Sequence, residues 1–364
     1  MTKNPKKVCL VTISLAQGGV ERSVAMLSEM LSQWGHEVHI ITLNDRIDYE
    51  FQGQLFNLGK FKTTPDNGLK RLLRFRKMRN YLVKNRFDFI IDHRPKMNMR
   101  KERFYHQYLY RGFRKIYVVH SSHGQLYATD TPEKAQLIYQ KNFATVAVSK
   151  YIHQQLIRQG VTNSLTIYNA VNPDWPKKQQ PLPEPLRGKE YLLAYGRMDD
   201  SVKDFSFLIQ AFSVSKLWQR EIYLVLMGDG PDKAMLQEKA KQVPGGEWIV
   251  FLPFMNPPFT VVSNSRFVTL TSRFEGFPMV VVESLSMGVP VVSLDIVSGP
   301  SEVVKHQQNG WLVSQRDTSE FAQAMQAMFD DPDLYQRCKA QAQDSVAHLT
   351  QAHIAQQWHQ LISI

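Results

Sequence analysis

The sequence predicts an α/β chain folded as two doubly wound domains, and three observations predict it. Short apolar runs rich in Val, Ile and Leu alternate with amphipathic stretches, the pattern of β-α units that set parallel strands between helices. A proline-rich segment interrupts the alternation once, after which it resumes. With 364 residues the chain is long enough for two separate cores.

In the first half, strands are expected at 7–13, 37–43, 87–92, 115–119, 145–148 and 165–168, and helices over 21–34, 69–84 and 150–159. Residues 172–187 then hold five prolines without periodicity, which excludes the interior of a strand or helix. The second half resumes with strands at 191–195, 223–227, 248–252, 267–271 and 289–294, and helices over 205–217, 232–242, 280–287 and 319–329. A last helical pattern covers 351–361. The expected organisation is a first domain over 1–172, a linker over 173–188, a second domain over 189–347, and a terminal helix within 348–364 that packs back on the first domain. Open α/β sheets bind ligands beyond the carboxyl ends of their strands. Function is therefore expected in loops that follow strands, with both domains facing across a cleft.

Composition narrows the classes. Hydrophobic residues make up 43% and charged residues 21%, ordinary for a soluble globular protein. Two cysteines, Cys9 and Cys338, form neither a disulfide framework nor a metal site. No apolar stretch approaches the length of a membrane span, and the run at 8–13 is too short for a signal peptide. A cytoplasmic protein is expected. The net charge of +11 is concentrated: residues 60–115 hold 18 Lys or Arg against 4 Asp or Glu, +14 in all, leaving −3 for the rest. Such a window points to an anionic partner, whether lipid, phosphorylated glycan or nucleic acid.

Three loops carry the chemistry. The first strand runs into Ser14-Leu15-Ala16-Gln17-Gly18-Gly19-Val20-Glu21, where paired glycines let a ligand approach the backbone and the next helix start. The third glycine of the dinucleotide fingerprint is missing, so a plain tight turn also fits. The strand at 191–195 leads into Gly196-Arg197, with Lys203 six residues on; a forked guanidinium and a compact ammonium can converge on one diphosphate. The strand at 267–271 leads into Ser272-Arg273-Phe274-Glu275-Gly276-Phe277-Pro278-Met279-Val280-Val281-Val282-Glu283. Pro278 suits the first position of a helix whose amides would seat a phosphate. Glu283, inside an apolar helix, is costly to bury without a partner; ligand hydroxyls or a salt bridge would supply one.

Glu275 and Glu283 with Gly276-Phe277-Pro278 between them resemble the signature of family 4 retaining glycosyltransferases of the GT-B fold, two Rossmann-like β/α/β domains. Gly196-Arg197 with Lys203, Gly18-Gly19-Val20-Glu21-Arg22, Val146-Ala147-Val148-Ser149, Ile167-Tyr168-Asn169, Met227-Gly228-Asp229-Gly230-Pro231 and Ser298-Gly299-Pro300-Ser301-Glu302 also fall in the family's order, so the likeness spans essentially the whole chain. The resemblance implies that Arg197 and Lys203 bind the diphosphate of a nucleotide-sugar donor and that Glu283 holds its ribose. It gives Glu275 the hydroxyls of the transferred sugar, and the amides near Met279 and Val280 the distal phosphate. Pro253 and Phe254 would lie over the base, while Gly18 and Gly19 approach the diphosphate. It also implies a histidine near the transferred sugar: His120 matches best, His123 is the reserve, and His93 is a weaker candidate on the acceptor side. Three departures stand out: Asn169-Ala170-Val171-Asn172 replaces a common glycine and aspartate, Pro253 a glycine, and Asp204 a glycine.

A metal pair at Asp331-Pro332-Asp333 would need a site; Asp capping and Pro opening a helix explain the residues better. With Arg197, Lys203 and helix amides as counter-charge, neither metal nor cofactor is expected. The expected reaction is retaining transfer of a hexose or N-acetylhexosamine, UDP-linked as the commoner donor of the family, to a lipid-linked or lipopolysaccharide-like acceptor. The stretch Gly68-Leu69-Lys70-Arg71-Leu72-Leu73-Arg74-Phe75-Arg76-Lys77-Met78-Arg79 reads as a basic amphipathic helix, expected to lie on the anionic inner face of the cell membrane. Two rivals remain at this level. One is a nucleotide-sugar epimerase or hydrolase, separable by product analysis. The other is a nucleic-acid-binding module stacking bases on Phe104, Tyr105, Tyr108 and Tyr110; it leaves Glu275 and Glu283 without a role, and no nucleic-acid partner is expected.

Overall fold

The computed structural model describes residues 4–16, 18–172 and 180–364. Gln17 of the glycine loop and 173–179 of the expected linker lie outside the described residues. The chain divides into two compact units, one of residues 1–170 with 351–364, the other of 171–350.

The first unit is built on a parallel sheet of order β3-β2-β1-β4-β5-β6-β7. Its strands are β1 (Lys7–Thr12), β2 (Glu37–Thr42), β3 (Gln54–Asn57), β4 (Phe89–Asp92), β5 (Arg114–Val119), β6 (Ala144–Ala147) and β7 (Ser164–Thr166). β1 is central, paired with β2 on one side and β4 on the other, so Val8, Cys9, Leu10 and Val11 are wholly buried. A strand covered on both faces reads as a continuous apolar run. The long helices Gly19–Gln33, Gly68–Asn85 and Lys150–Arg158 stand near the expected positions. Asn67 and Ser149 cap the last two by accepting backbone N–H groups of Lys70 and Ile152.

The terminal helix Gln351–Ile362 belongs to this unit and buries Ile354, Ala355, Trp358 and Ile362. Its His359 ring stacks on Trp34 at 4.3 Å and meets His36 Nε2 through Nδ1 at 3.0 Å. The His36 Nδ1 accepts the Lys6 amide. The neutral His36 ring therefore carries its proton on Nε2 and donates it to His359.

The second unit has the order β10-β9-β8-β11-β12-β13, again all parallel. Its strands are β8 (Tyr191–Tyr195), β9 (Tyr223–Met227), β10 (Ile249–Leu252), β11 (Val268–Leu270), β12 (Val291–Leu294) and β13 (Gly310–Val313). Its core packs Leu192, Leu224 and Leu226 of the sheet against Phe212, Phe321 and Met325 of the helices Phe205–Ser215 and Thr318–Asp330. Asp331 accepts the Leu334 amide and Pro332 opens the helix Pro332–Ser345, so this aspartate caps a helix. Both cysteines are buried thiols.

Two strands were not legible beforehand. β3 and β13 lie at sheet edges, each four residues long, and QLFN and GWLV carry little β-branched content. Their neighbours β2 and β12 recruit them; local propensity does not. The helices Met99–Phe104 and Pro132–Tyr139 were also missed, being short and set among cations and polar residues.

Candidate functional site

In the second unit the strand order reverses at β8, whose neighbours β9 and β11 carry their chains to opposite sides of the sheet. Loops after adjacent strands part there, which opens the binding crevice of a doubly wound fold. Of the residues read as donor contacts, those of the second unit lie on the segments that follow β8, β10 and β11, while Gly18 and Gly19 belong to the first unit.

β8 ends in Gly196, with φ of 145°, and Arg197, whose side chain is exposed. The next loop nests tightly on this turn. Gly228 has φ of 152°, and a Cβ there would fall on the Gly196 carbonyl, so only glycine fits. The Met198 amide donates to the Asp229 carbonyl at 3.0 Å, and the Asp200 amide to Asp232 Oδ2 at 2.7 Å. Beyond β10, Pro253 and Phe254 are tied to the same loop, because the Phe254 amide donates to Asp229 Oδ2 at 2.8 Å. Lys233, hydrogen-bonded to Asp229, and then the Phe254 amide hold that carboxyl below its ordinary range.

Lys203 ends the short helix Asp200–Lys203, and its stem lies over Gly196. Its Nζ reaches Glu275 Oε1 at 2.6 Å, and Ser272 Oγ donates to the same oxygen at 2.7 Å. Lys203 and Glu275, each read from sequence as facing a ligand, therefore meet each other. Asp204, the departure from glycine, adopts φ of 51°. Its nearly buried carboxylate holds Arg273 at 3.0 Å and Arg316 at 2.7 Å. Arg316 also donates to the carbonyls of Thr271 and Ser272, clamping the loop that carries Glu275. Aspartate tolerates the left-handed conformation better than most residues and adds this clamp. Sequence reading missed Arg316, since a lone arginine far along the chain carries no local signal.

The loop after β11 continues through Gly276 and Phe277 into the helix Met279–Ser286. Pro278 sits one position earlier than expected, as the residue before the first turn, and no side chain caps it. The Met279 and Val280 amides belong to that first turn, where helical N–H groups lack an intrahelical acceptor. Ser298 Oγ donates to the Gly276 carbonyl at 3.0 Å. Gly299, with φ of 101°, packs against the Pro278 ring. Glu283 is buried, and Tyr195 donates its hydroxyl to Glu283 Oε2 at 2.8 Å. This partner comes from the end of β8, which a linear reading could not have supplied.

In the first unit the order reverses at β1, between β2 and β4. Gly18 caps the helix Gly19–Gln33 in an extended conformation, and a Cβ on it would meet the Glu21 carboxylate. His93 follows β4 and His120 follows β5; His93 Nδ1 and His120 Nε2 lie 2.9 Å apart. Burial pushes both imidazoles down, His93 to about 3 and His120 well below the ordinary 6.5, so both are neutral at physiological pH. His123 is only half-buried and begins the short helix Gly124–Tyr127. The structure thus joins His93 with His120 through a hydrogen bond.

The basic window is partly internal. Arg94 and Lys96 are wholly buried with Asp92 and Glu102: Arg94 reaches Asp92 at 2.6 Å and Glu102 at 3.2 Å, and Lys96 reaches Asp92 at 3.2 Å. Burial opposes ionisation of Asp92, but Arg94 and Lys96 outweigh it and hold the carboxyl below its usual range. Arg94 also stacks on Tyr105 at 3.6 Å. These two cations are thereby withdrawn from any surface field, and Tyr105 and Tyr110, both buried, offer no face to a base.

Two doubly wound units, one with cations, a buried carboxylate and a helix start gathered at its switch point, define the GT-B class of sugar-transferring folds. Residues 17–175 match the family described as Glycosyltransferase Family 4 and residues 177–345 that described as Glycosyl transferases group 1. The chain belongs to the group 1/family 4 glycosyltransferases and is a hexosyltransferase. It is 27% identical to the N-acetylgalactosamine-N,N'-diacetylbacillosaminyl-diphospho-undecaprenol 4-alpha-N-acetylgalactosaminyltransferase of Campylobacter jejuni, over 96% of this chain and 97% of that one. It is 32% identical to the lipopolysaccharide 1,6-galactosyltransferase of Escherichia coli K12, over 48% of this chain and 49% of that one. Among solved structures, HepE of Anabaena, in complex with UDP and glucose, shares the fold with a TM-score of 0.78 at 18% identity, over 98% of this chain and 99% of that one.

Proposed function

We propose that this enzyme moves a hexose or N-acetylhexosamine from a UDP-linked donor to a lipid-linked or lipopolysaccharide-like glycan, with retention of anomeric configuration. The observation that carries this reading is the switch point of the second unit. There Arg197, Lys203 and the uncapped start of the helix Met279–Ser286 surround the ends of β8 and β11. Cleavage of the donor leaves negative charge on the departing diphosphate, and cations with preorganised amides stabilise it as it forms. Arg197 and Lys203 take the diphosphate and the Met279 and Val280 amides its distal phosphate. Glu283 takes the ribose, and Pro253 and Phe254 flank the base. Binding frees Lys203 from Glu275, which turns to the hydroxyls of the transferred sugar. The acceptor oxygen bonds to the anomeric carbon on the face the diphosphate leaves, and its proton passes to the leaving phosphate oxygen. No metal ion is needed to balance that charge.

The first unit takes the acceptor, with His120 beside the transferred sugar and His123 as the alternative. The relatives' activities on undecaprenol-linked and lipopolysaccharide glycans support this choice of acceptor. The UDP and glucose bound by HepE support the donor. Along the helix Gly68–Asn85, Leu69, Leu72, Leu73 and Val83 are exposed beside Arg71, Arg76, Lys77 and Lys84. That face suits an anionic bilayer and supports peripheral attachment at the cytoplasmic side.

Transfer from a labelled UDP-sugar, with Arg197→Ala and Glu283→Gln beside the wild type, tests the reading. Each variant should lose about a hundredfold in kcat/KM, the scale of one preorganised contact to developing charge or its positioning. Undiminished transfer by either one overturns it.

A further inference from the structure

The His93–His120 pair has an internal constraint. The ring nitrogens that face each other share one hydrogen bond, so one proton lies between them. Both rings are buried, and a second proton would place like charges side by side in low dielectric. If His93 Nδ1 carries the proton, His120 Nε2 is bare and His120 is protonated on Nδ1. If His120 Nε2 carries it, His93 Nδ1 is bare and His93 is protonated on Nε2. The two rings must therefore hold the same tautomer, both Nδ1–H or both Nε2–H.

The far end of the pair is also defined. His93 Nε2 is buried and has no hydrogen-bond partner among the described residues. His93 lines a small cavity with Ser23, Val118, Tyr168, Asn169 and Trp358. Ser23 Oγ donates to Asn169 Oδ1 at 2.7 Å, so polar groups share that cavity with the orphan nitrogen. The charged groups nearest the pair are Asp92 and Lys96, already tied to each other.

We propose that His93 is a positioning residue that ties the tautomer of His120 to its own, so that the joint state of the two rings decides whether His120 Nδ1 meets the substrate as donor or acceptor. Its catalytic consequence rests on the placement of His120 beside the transferred sugar; the tautomer coupling itself does not.

The test is long-range 1H–15N correlation of the histidine side chains in the full-length protein between pH 5 and 8, with His120 assigned through His120→Ala. The wild type should show both rings in one and the same neutral tautomer throughout. His93→Phe keeps an aromatic ring but removes Nδ1, and His120 should then show averaged tautomer shifts while kcat falls about tenfold, the weight of one hydrogen bond, at unchanged KM for the nucleotide-sugar. His93→Asn restores an amide near the place of Nδ1 and should recover a single His120 tautomer and most of kcat. Opposite tautomers in the wild type, or His120 shifts in His93→Phe identical to wild type, overturn the proposal. If instead the coupling holds and His120→Ala transfers sugar at the wild-type rate, the role given to His120 fails and the tautomer relation stands.

Discussion

The Tyr195–Glu283 contact bears on stability and, on the proposed reading of Glu283, on ligand binding as well. The carboxylate lies inside an apolar helix, and the phenol that meets it comes from the end of a strand 88 residues earlier. Removing that hydroxyl leaves a buried charge short of a donor, which costs about 1–3 kcal/mol. Tyr195→Phe should lower the urea midpoint accordingly and, if Glu283 holds the ribose as proposed, weaken UDP affinity, because the carboxylate loses a donor that orients it; calorimetric titration reads the second effect. An unchanged midpoint would mean that the hydroxyl contributes little. Asp204 and Arg316 make the same point for the loop that carries Glu275: the residues that shape the site are supported by partners far away in sequence.

Among elements, the helices that end the two units respond to different perturbations. Asp331 caps the helix Pro332–Ser345 through the Leu334 amide, so Asp331→Ala should cost about 1 kcal/mol by denaturant titration. The terminal helix Gln351–Ile362 should instead respond to acid, through the His36–His359 contact. Burial, then His359, then Lys6, lowers His36 from 6.5 to about 4. Between those values the unfolded chain binds a proton that the folded chain refuses, so stability falls as pH drops through this window and is complete above it. The wild type should lose urea midpoint between pH 7 and 4.5, with amide exchange rising first in residues 351–362. In His36→Phe the loss should be smaller. Equal losses in the two proteins would remove His36 from the explanation.

At the scale of the whole molecule, the net charge of +11 is less available than its total suggests. Arg94 and Lys96 are buried with Asp92 and Glu102, and Arg74 is folded onto Asp66 at 2.6 Å. A contiguous exposed part is the helix Gly68–Asn85, with its leucines and flanking cations. Each cation near an anionic surface contributes about 1 kcal/mol, so replacing Arg71, Arg76 and Lys77 by Gln should weaken vesicle binding by about a hundredfold. Sedimentation with phosphatidylglycerol vesicles at rising salt measures it. Binding that ignores both salt and these substitutions would place the contact elsewhere.

Much of this was determined by the sequence alone. Periodicity located the central strands, since β1 and β8 are buried on both faces and can only be apolar. Glycine and proline marked the turns at Gly196, Gly228 and Pro278, where backbone geometry restricts the residue type. Tertiary structure decided the rest. The edge strands β3 and β13 exist because a neighbour pairs with them. The Lys203–Glu275 ion pair, the Arg316 clamp and the His93–His120 contact each join residues from different strand ends. The partner of a charge or an imidazole is chosen by strand order and burial, which bring distant segments together. Local sequence pattern reports which faces are buried, and it is silent about what they are buried against.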